Sequence, residues 1–364
     1  MAFLSLCMIV KNEEKFLEQC LCSLQALVDE IIIVDTGSTD KTKDIARKFT
    51  QKVFDFAWCD DFSAARNESL KYATGDWILV LDADETIAVK DHQALRTLLT
   101  FSPAVQGYIL IQRNYIKDQQ DLNILTAPGF QVKGRNEAGN MLSSNQDSYA
   151  ESGGTAGWLP TPIVRLFRRA GGVAFSGVVH EDVSPSLTGA ILNSSIPIHH
   201  VGKLNTESWK KKWALYQRLG KLKVQQEKDY FAYYELGRQY LAQGLQTEAK
   251  EMFLQSIALN GTFWLSWYNV GSLQLIQQFY DAAIQSLERA RQLNSQVPII
   301  YSSLGVAYAK KKEFSKAIDV FTAGLRIDPQ NGEILRNMGR CYRENGDLAR
   351  AELAFMQAKE LESQ

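Results

Sequence analysis

The stretch Trp77–Glu85, WILVLDADE, decides the fold class. Trp77–Leu81 reads as a short buried strand, and it runs straight into Asp82, Ala83 and Asp84. Successive side chains of a strand point to opposite faces, so residues two apart share a face. The spacing therefore predicts that Asp82 and Asp84 face the same way at the strand's carboxyl end, where open α/β sheets bind ligands. A hard divalent ion is commonly held by one or two carboxylates plus substrate phosphates, and D-A-D fits that economy.

Two earlier apolar runs extend the pattern. Phe3–Val10 (FLSLCMIV) is followed by Lys11, Asn12 and Glu13, and Glu30–Val34 (EIIIV) leads into Asp35-Thr36-Gly37-Ser38-Thr39-Asp40. Between them, Phe16, Leu17, Cys20, Leu21, Leu24 and Leu27 recur at a helical period over Glu14–Leu27. A helix over Lys41–Phe49, a strand at Val53–Phe54 and a helix over Ala64–Ala73 follow. This alternation predicts an α/β domain with a mostly parallel sheet and right-handed crossovers. Asp35 is expected just past its strand, and the Gly-Ser-Thr-Asp after it supplies turn formers and a helix N-cap. Such a turn offers backbone N–H groups to an anion. No G-x-G-x-x-G follows the first strand, which disfavours a dinucleotide-binding dehydrogenase.

MIVKNEE (Met8–Glu14), IIIVDTGSTDKT (Ile31–Thr42), FSAARNESLKYATGDWILVLDADE (Phe62–Glu85) and FSGVVHED (Phe175–Asp182) together resemble a family-2 glycosyltransferase of the GT-A fold. The resemblance covers about residues 3–202. It implies inverting transfer from a nucleotide-activated sugar, with a UDP-hexose as the family-level expectation. Asp35 matches the acidic residue that reads the nucleotide base. Asp82 and Asp84 match the D-x-D that meets the ribose and the metal-bound diphosphate. Arg66 and Asn67 match positions near the donor pocket, and Lys11, Asn12 and Glu13 join them as donor-binding candidates.

An inverting transfer needs one base for the acceptor's proton while a metal stabilises the departing diphosphate. His180-Glu181-Asp182 offers three titratable groups in a row, and relatives with this pattern carry an H-E pair there, so Glu181 or Asp182 is the candidate base. The chain has only 4 His. His199-His200 ends the β-like run Ile196–Ile198, and in the family pattern His200 aligns with a third metal ligand beside Asp82 and Asp84. Imidazole suits Mn²⁺ better than Mg²⁺. His92 reads as a surface residue in a loop.

Lys117–Trp158 loses periodicity and is rich in Asn, Gln, Ser and Gly, the composition of a lid or insertion; as a lid it would keep water from the donor. The first domain is thus expected over 1–203 and a connecting helix over 204–229. From Tyr230 a different pattern begins. Gly237, Gly271, Gly305 and Gly339 recur every 34 residues, as do Ala249, Ala283, Ala317 and Ala351. Large residues keep that step at Tyr233, Trp267, Tyr301 and Leu335, and at Phe253, Leu287, Phe321 and Phe355. This is the signature of tetratricopeptide helix pairs, four repeats over 230–364. Such solenoids bind peptides on a concave face or hold dimers together.

A net charge of −1 gives no support to a nucleic-acid partner, and the apolar runs are far shorter than a membrane span. The 5 cysteines, odd in number and without metal spacing, point to thiols in a reducing cytoplasm. The sum is a cytoplasmic, metal-dependent (Mn²⁺ or Mg²⁺), inverting glycosyltransferase. Its resemblance to bacterial protein and peptide glycosyltransferases implies a polypeptide acceptor docked by the repeats. Transfer to a saccharide or lipid-linked glycan, and a scaffold with a dead transferase domain, are the alternatives.

Overall fold

The computed structural model describes residues 2–116, 157–201 and 206–363. These separate into two compact units, one holding the described residues up to Ile116 and from Gly157 to Lys223, the other those from Val224 onward.

The first unit is an eight-stranded sheet with helices on its faces. In chain order its elements are β1 (Leu4–Val10), α1 (Leu17–Leu24), β2 (Glu30–Asp35), α2 (Thr42–Arg47), β3 (Val53–Asp55), α3 (Phe62–Tyr72), β4 (Trp77–Val80), β5 (Glu85–Thr86), α4 (His92–Leu98), β6 (Val105–Ile116), β7 (Gly157–Arg168), β8 (Ala190–His200) and α5 (Thr206–Glu227), the last of which runs across the unit boundary. The strand order is β3-β2-β1-β4-β7-β6-β8-β5. β3, β2, β1 and β4 are mutually parallel, β7 runs antiparallel to β4 and β6, and β8 is parallel to β6. The alternation of strand and helix up to β4 thus gives a parallel half-sheet; beyond it β7 runs antiparallel between β4 and β6, and β5 antiparallel to β8.

Both faces of β1 are covered. Leu4, Leu6, Met8 and Val10 pack with Leu17, Cys20, Leu21 and Leu24 of α1, while Cys7 packs on the other side with Ile32, Ile78, Val80 and Phe167. Burial on both faces is why these strands are unbroken apolar runs. Gly75 lets the turn before β4 press against β1, because a Cβ there would lie 2.8 Å from the Phe3 carbonyl and 2.6 Å from the Ser5 hydroxyl. α3 begins earlier than its apolar pattern indicates, since Asp61 caps it by accepting from Ala64 N–H at 3.0 Å. Asp35 is the last residue of β2 rather than the first beyond it. His92 also differs from its reading: it opens α4, half-buried, with Nε2 2.9 Å from the Ser23 carbonyl. Of the expected lid only Gly157 and Trp158 lie among the described residues, and they begin β7.

In the second unit, α6 (Tyr230–Ala242) pairs with α7 (Gln246–Leu259), α8 (Trp264–Ile276) with α9 (Tyr280–Leu293), α10 (Pro298–Lys310) with α11 (Phe314–Ile327), and α12 (Gly332–Glu344) with α13 (Leu348–Ser363). The first helices start 34 residues apart. A Cβ on Gly237 would lie 2.7 Å from the Phe253 ring, on Gly271 2.7 Å from Leu287, and on Gly339 2.8 Å from Phe355. The glycines let each pair close onto the large residue of its second helix. Among the described residues no helix is long and apolar enough to cross a membrane.

Candidate active site

The carboxyl ends of β1, β2 and β4 meet loops that are laced together by short polar residues. Asn12, in the left-handed region at φ 54°, donates its N–H to the Ser38 hydroxyl at 2.9 Å and accepts from Thr39 N–H at 2.8 Å. Glu13 N–H donates to the Thr42 hydroxyl at 2.8 Å, and Lys11 is exposed beside them. Asp35 is buried beneath this loop. Its Oδ1 accepts from Gly37 and Ser38 N–H at 2.9 and 2.8 Å, while Oδ2 is buried without a partner among the described residues.

The D-A-D segment departs from its sequence reading. β4 ends at Val80, so Asp82–Asp84 form a turn rather than the end of a strand, and the two carboxylates face different partners. The turn is fixed by Glu85, whose N–H donates to the Asp82 carbonyl at 3.0 Å and whose Oε2 accepts from Asp82 N–H at 2.7 Å. Glu85 is fully buried and is also held by Gln112 Nε2 and, at 3.4 Å, by Arg165 Nη2. Burial raises its pKa, the Arg165 charge pulling the other way and the Asp82 charge reinforcing the rise.

Both oxygens of Asp82 are engaged by arginines: Oδ1 by Arg66 Nη2 at 2.7 Å and Oδ2 by Arg165 Nη2 at 2.8 Å. Burial opposes its ionisation, but the Arg165 and Arg66 charges outweigh burial and hold its pKa well below the usual carboxylate range. Its side chain is still 36% exposed, so the cluster is open on one side. Arg66 continues to Glu181, donating from Nε to Oε1 at 2.7 Å. Arg66 Nη1 and Arg165 Nε are buried without a partner among the described residues.

Asp84 has a different partner: its Oδ2 lies 3.3 Å from His200 Nε2, both side chains 12% exposed. His200 Nδ1 lies 2.8 Å from Asn114 Oδ1. That oxygen only accepts, because the amide nitrogen of Asn114 donates to the Thr161 hydroxyl at 3.0 Å. The proton therefore sits on Nδ1, and in the neutral ring the Nε2 lone pair is presented to a carboxylate oxygen. Two acceptors set face to face, with the far imidazole nitrogen fixed by an amide, suit a cation between them. Asp84 and His200 thus fit as two ligands of a divalent ion. Among the described residues no group of three or more His, Cys, Asp or Glu is arranged around a metal position. His199 points into the core, with Nδ1 2.6 Å from the Tyr115 hydroxyl.

In the H-E-D triplet, Asp182 is exposed and its Oδ1 accepts from the N–H and hydroxyl of Ser184 at 2.9 and 2.7 Å, the work of a turn cap. Glu181, 14% exposed, turns towards Arg66 and the D-A-D turn. Asn67 spends both ends of its amide on the backbone of Phe175, at 2.9 and 2.8 Å. Glu85 and Asn114 escape the sequence reading. The only signal for Glu85 is its place in the quoted motif; for Asn114, on the long strand β6, there is none.

Residues 5–143 match the model for Glycosyl transferase family 2, and 232–263, 268–332 and 309–363 match tetratricopeptide repeats. The chain therefore carries a family-2 glycosyltransferase domain at its N-terminal side, followed by tetratricopeptide repeats. The family match ends before Arg165, Glu181 and His200. The chain is 48% identical over 30% of its length to the TPR repeat-containing protein Synpcc7942_0270 of Synechococcus elongatus, covering 27% of that protein. It is 44% identical over 21% of its length to the SPbeta prophage-derived glycosyltransferase SunS of Bacillus subtilis, covering 18% of it. It is 28% identical over 31% of its length to the lipopolysaccharide core biosynthesis glycosyltransferase LpsC of Rhizobium meliloti, covering 43%. The chain thus spans about a quarter or less of the first two relatives.

Proposed function

We propose that the chain is an inverting glycosyltransferase that moves a sugar, a UDP-hexose donor being the leading class, onto a polypeptide docked by its repeats. The observation that carries the reading is the Asp84–His200 pair beside the arginine-held Asp82, at the carboxyl edge of the parallel strands. Asp84 and His200 hold a divalent metal, with the imidazole favouring Mn²⁺. When bound, that ion neutralises charge on the departing nucleoside diphosphate. Asp35 offers its unpartnered Oδ2 to a donor N–H of the base. Asp82, kept ionised by its arginines, accepts from the ribose hydroxyls, and Lys11, Asn12 and Glu13 frame the nucleotide.

Glu181 is the base. Arg66 holds one carboxylate oxygen and so fixes the direction of the group. As the acceptor oxygen or sulfur bonds to the anomeric carbon, its proton passes to Glu181, and the carbon–oxygen bond to the diphosphate breaks on the opposite face. Asp182, committed to Ser184, serves the turn. The 5 unpaired thiols support a reducing compartment, the cytoplasm.

Calorimetric titration with a panel of nucleotides and nucleotide sugars, with and without Mn²⁺, tests this. One nucleoside diphosphate and its sugar conjugate should bind only with the metal; no binding by folded protein returns the chain to the scaffold reading. A glycan acceptor is the second reading, favoured by the likeness to LpsC. Label from the selected donor that ends in protease-resistant product would establish it over the polypeptide.

A further inference from the structure

Glu181 is presented by a tight loop. Ser176 and Asp182 close it with two backbone hydrogen bonds, each 3.0 Å, and Gly177 and His180 inside it are left-handed, at φ 96° and 55°. A side chain such as that of His180 persists in this conformation only where its surroundings over-determine it. One flank of the loop is held by α3. Phe62 N–H donates to the Val178 carbonyl at 3.1 Å, the Ser63 hydroxyl to the Gly177 carbonyl at 2.7 Å, and Asn67 clamps Phe175.

The other flank is held by α5, which lies beyond the family-2 match. The Tyr216 ring is parallel to His180, with centroids 6.3 Å apart and planes at 7°, and to Phe62, at 6.0 Å and 18°. Trp58 meets Phe62 edge-on at 4.9 Å. Two residues along α5, Arg218 makes a bidentate ion pair with Asp60, which also accepts from the Trp58 indole at 2.8 Å. Burial pushes the Tyr216 phenol up, and the charges of Asp82 and Glu181 push it further, as they would for a ring beside the acidic cluster.

Resting on the reading of Glu181 as base, we propose that Tyr216 is a positioning residue: its ring braces His180 in the left-handed conformation and so fixes where Glu181 points, while Arg218–Asp60 locks α5 in register. The catalytic unit then extends into α5, past the strand that ends at His200.

Hydrogen–deuterium exchange on the full chain tests it. Tyr216→Ala should speed exchange over residues 175–183 by about tenfold or more while β1, β2 and β4 stay as in the parent. Tyr216→Phe should match the parent, because the brace uses the ring and not the hydroxyl. With the nucleotide sugar selected by titration, Tyr216→Ala should lower kcat about tenfold at a donor KM within about threefold, and the Phe variant should restore it. Unchanged exchange over 175–183 in the Ala variant, or a Phe variant that behaves like it, overturns the proposal. Should Tyr216→Ala unfold the sheet, Arg218→Ala at the exposed end of the lock decides: faster exchange over 175–183 supports the brace, and none overturns it. Exchange needs no substrate, so a chain that turns over nothing yet loosens there refutes the transferase reading and keeps the brace.

Discussion

The two units are built on opposite logics. In the repeat unit, the contact that sets each helix pair joins residues 16 apart, as Gly237 meets Phe253 and Gly271 meets Leu287. In the sheet unit, the contacts that make the site join residues far apart in sequence: Arg66–Glu181 spans 115 residues, Arg165–Asp82 spans 83 and His200–Asp84 spans 116. A solenoid repeats one local solution, so its stability is a sum of neighbours. The site unit instead makes a dense ionic cluster from segments brought together only by the completed sheet. The repeat unit should tolerate damage locally, and the sheet unit should respond as a whole.

The largest effect is expected within one triplet. Glu181→Gln should lower transfer by about a thousandfold, in the range lost when a positioned base is removed, whereas Asp182→Asn should stay within about threefold. Rates with the selected donor check both, and a Glu181 variant as active as the parent would move the base elsewhere. Next in size is Arg66→Met. It strips a buried guanidinium from two carboxylates and should cost the sheet unit about 3 kcal/mol, read by denaturant unfolding, with no change in exchange protection of α8–α13.

Gly237→Ala reverses the roles of the units. A methyl group 2.7 Å from the buried Phe253 ring overpacks the first repeat, and the loss should be about 1–2 kcal/mol, confined to the repeats. A further effect is a pH dependence. Glu30 ties β2 to Ser5, Lys52 and Thr74; burial works against its charge, but the bonds from Lys52, Ser5 and Thr74 prevail and hold its pKa down to about 2. A depressed carboxyl stabilises above its unfolded value and loses that contribution as pH falls through the folded one. The sheet unit should therefore weaken between about pH 4.3 and pH 2, and Glu30→Gln should flatten that part of the profile.

Local and non-local construction also explains what could be read before the fold was known. The 34-residue period located the helix pairs because glycine and its large partner lie within one repeat. The parallel half-sheet was legible because burial on both faces leaves continuous apolar strands. The D-A-D geometry was not, because the strand rule applies only while the strand lasts, and the backbone leaves it at Leu81 for a turn held by Glu85. Asn114 and Arg165 carried no local signature; their roles exist only because β6 and β7 bring them beside His200 and Asp82.

The proposed transfer depends most on Asp84 and His200 holding the metal together. Paramagnetic resonance of Mn²⁺, titrated with protein and the nucleoside diphosphate that calorimetry selects, tests it directly. The parent chain should deplete the free-ion signal, while Asp84→Asn and His200→Ala, each still folded, should leave it at least about tenfold less depleted at the same concentrations. Full depletion by either variant would contradict it.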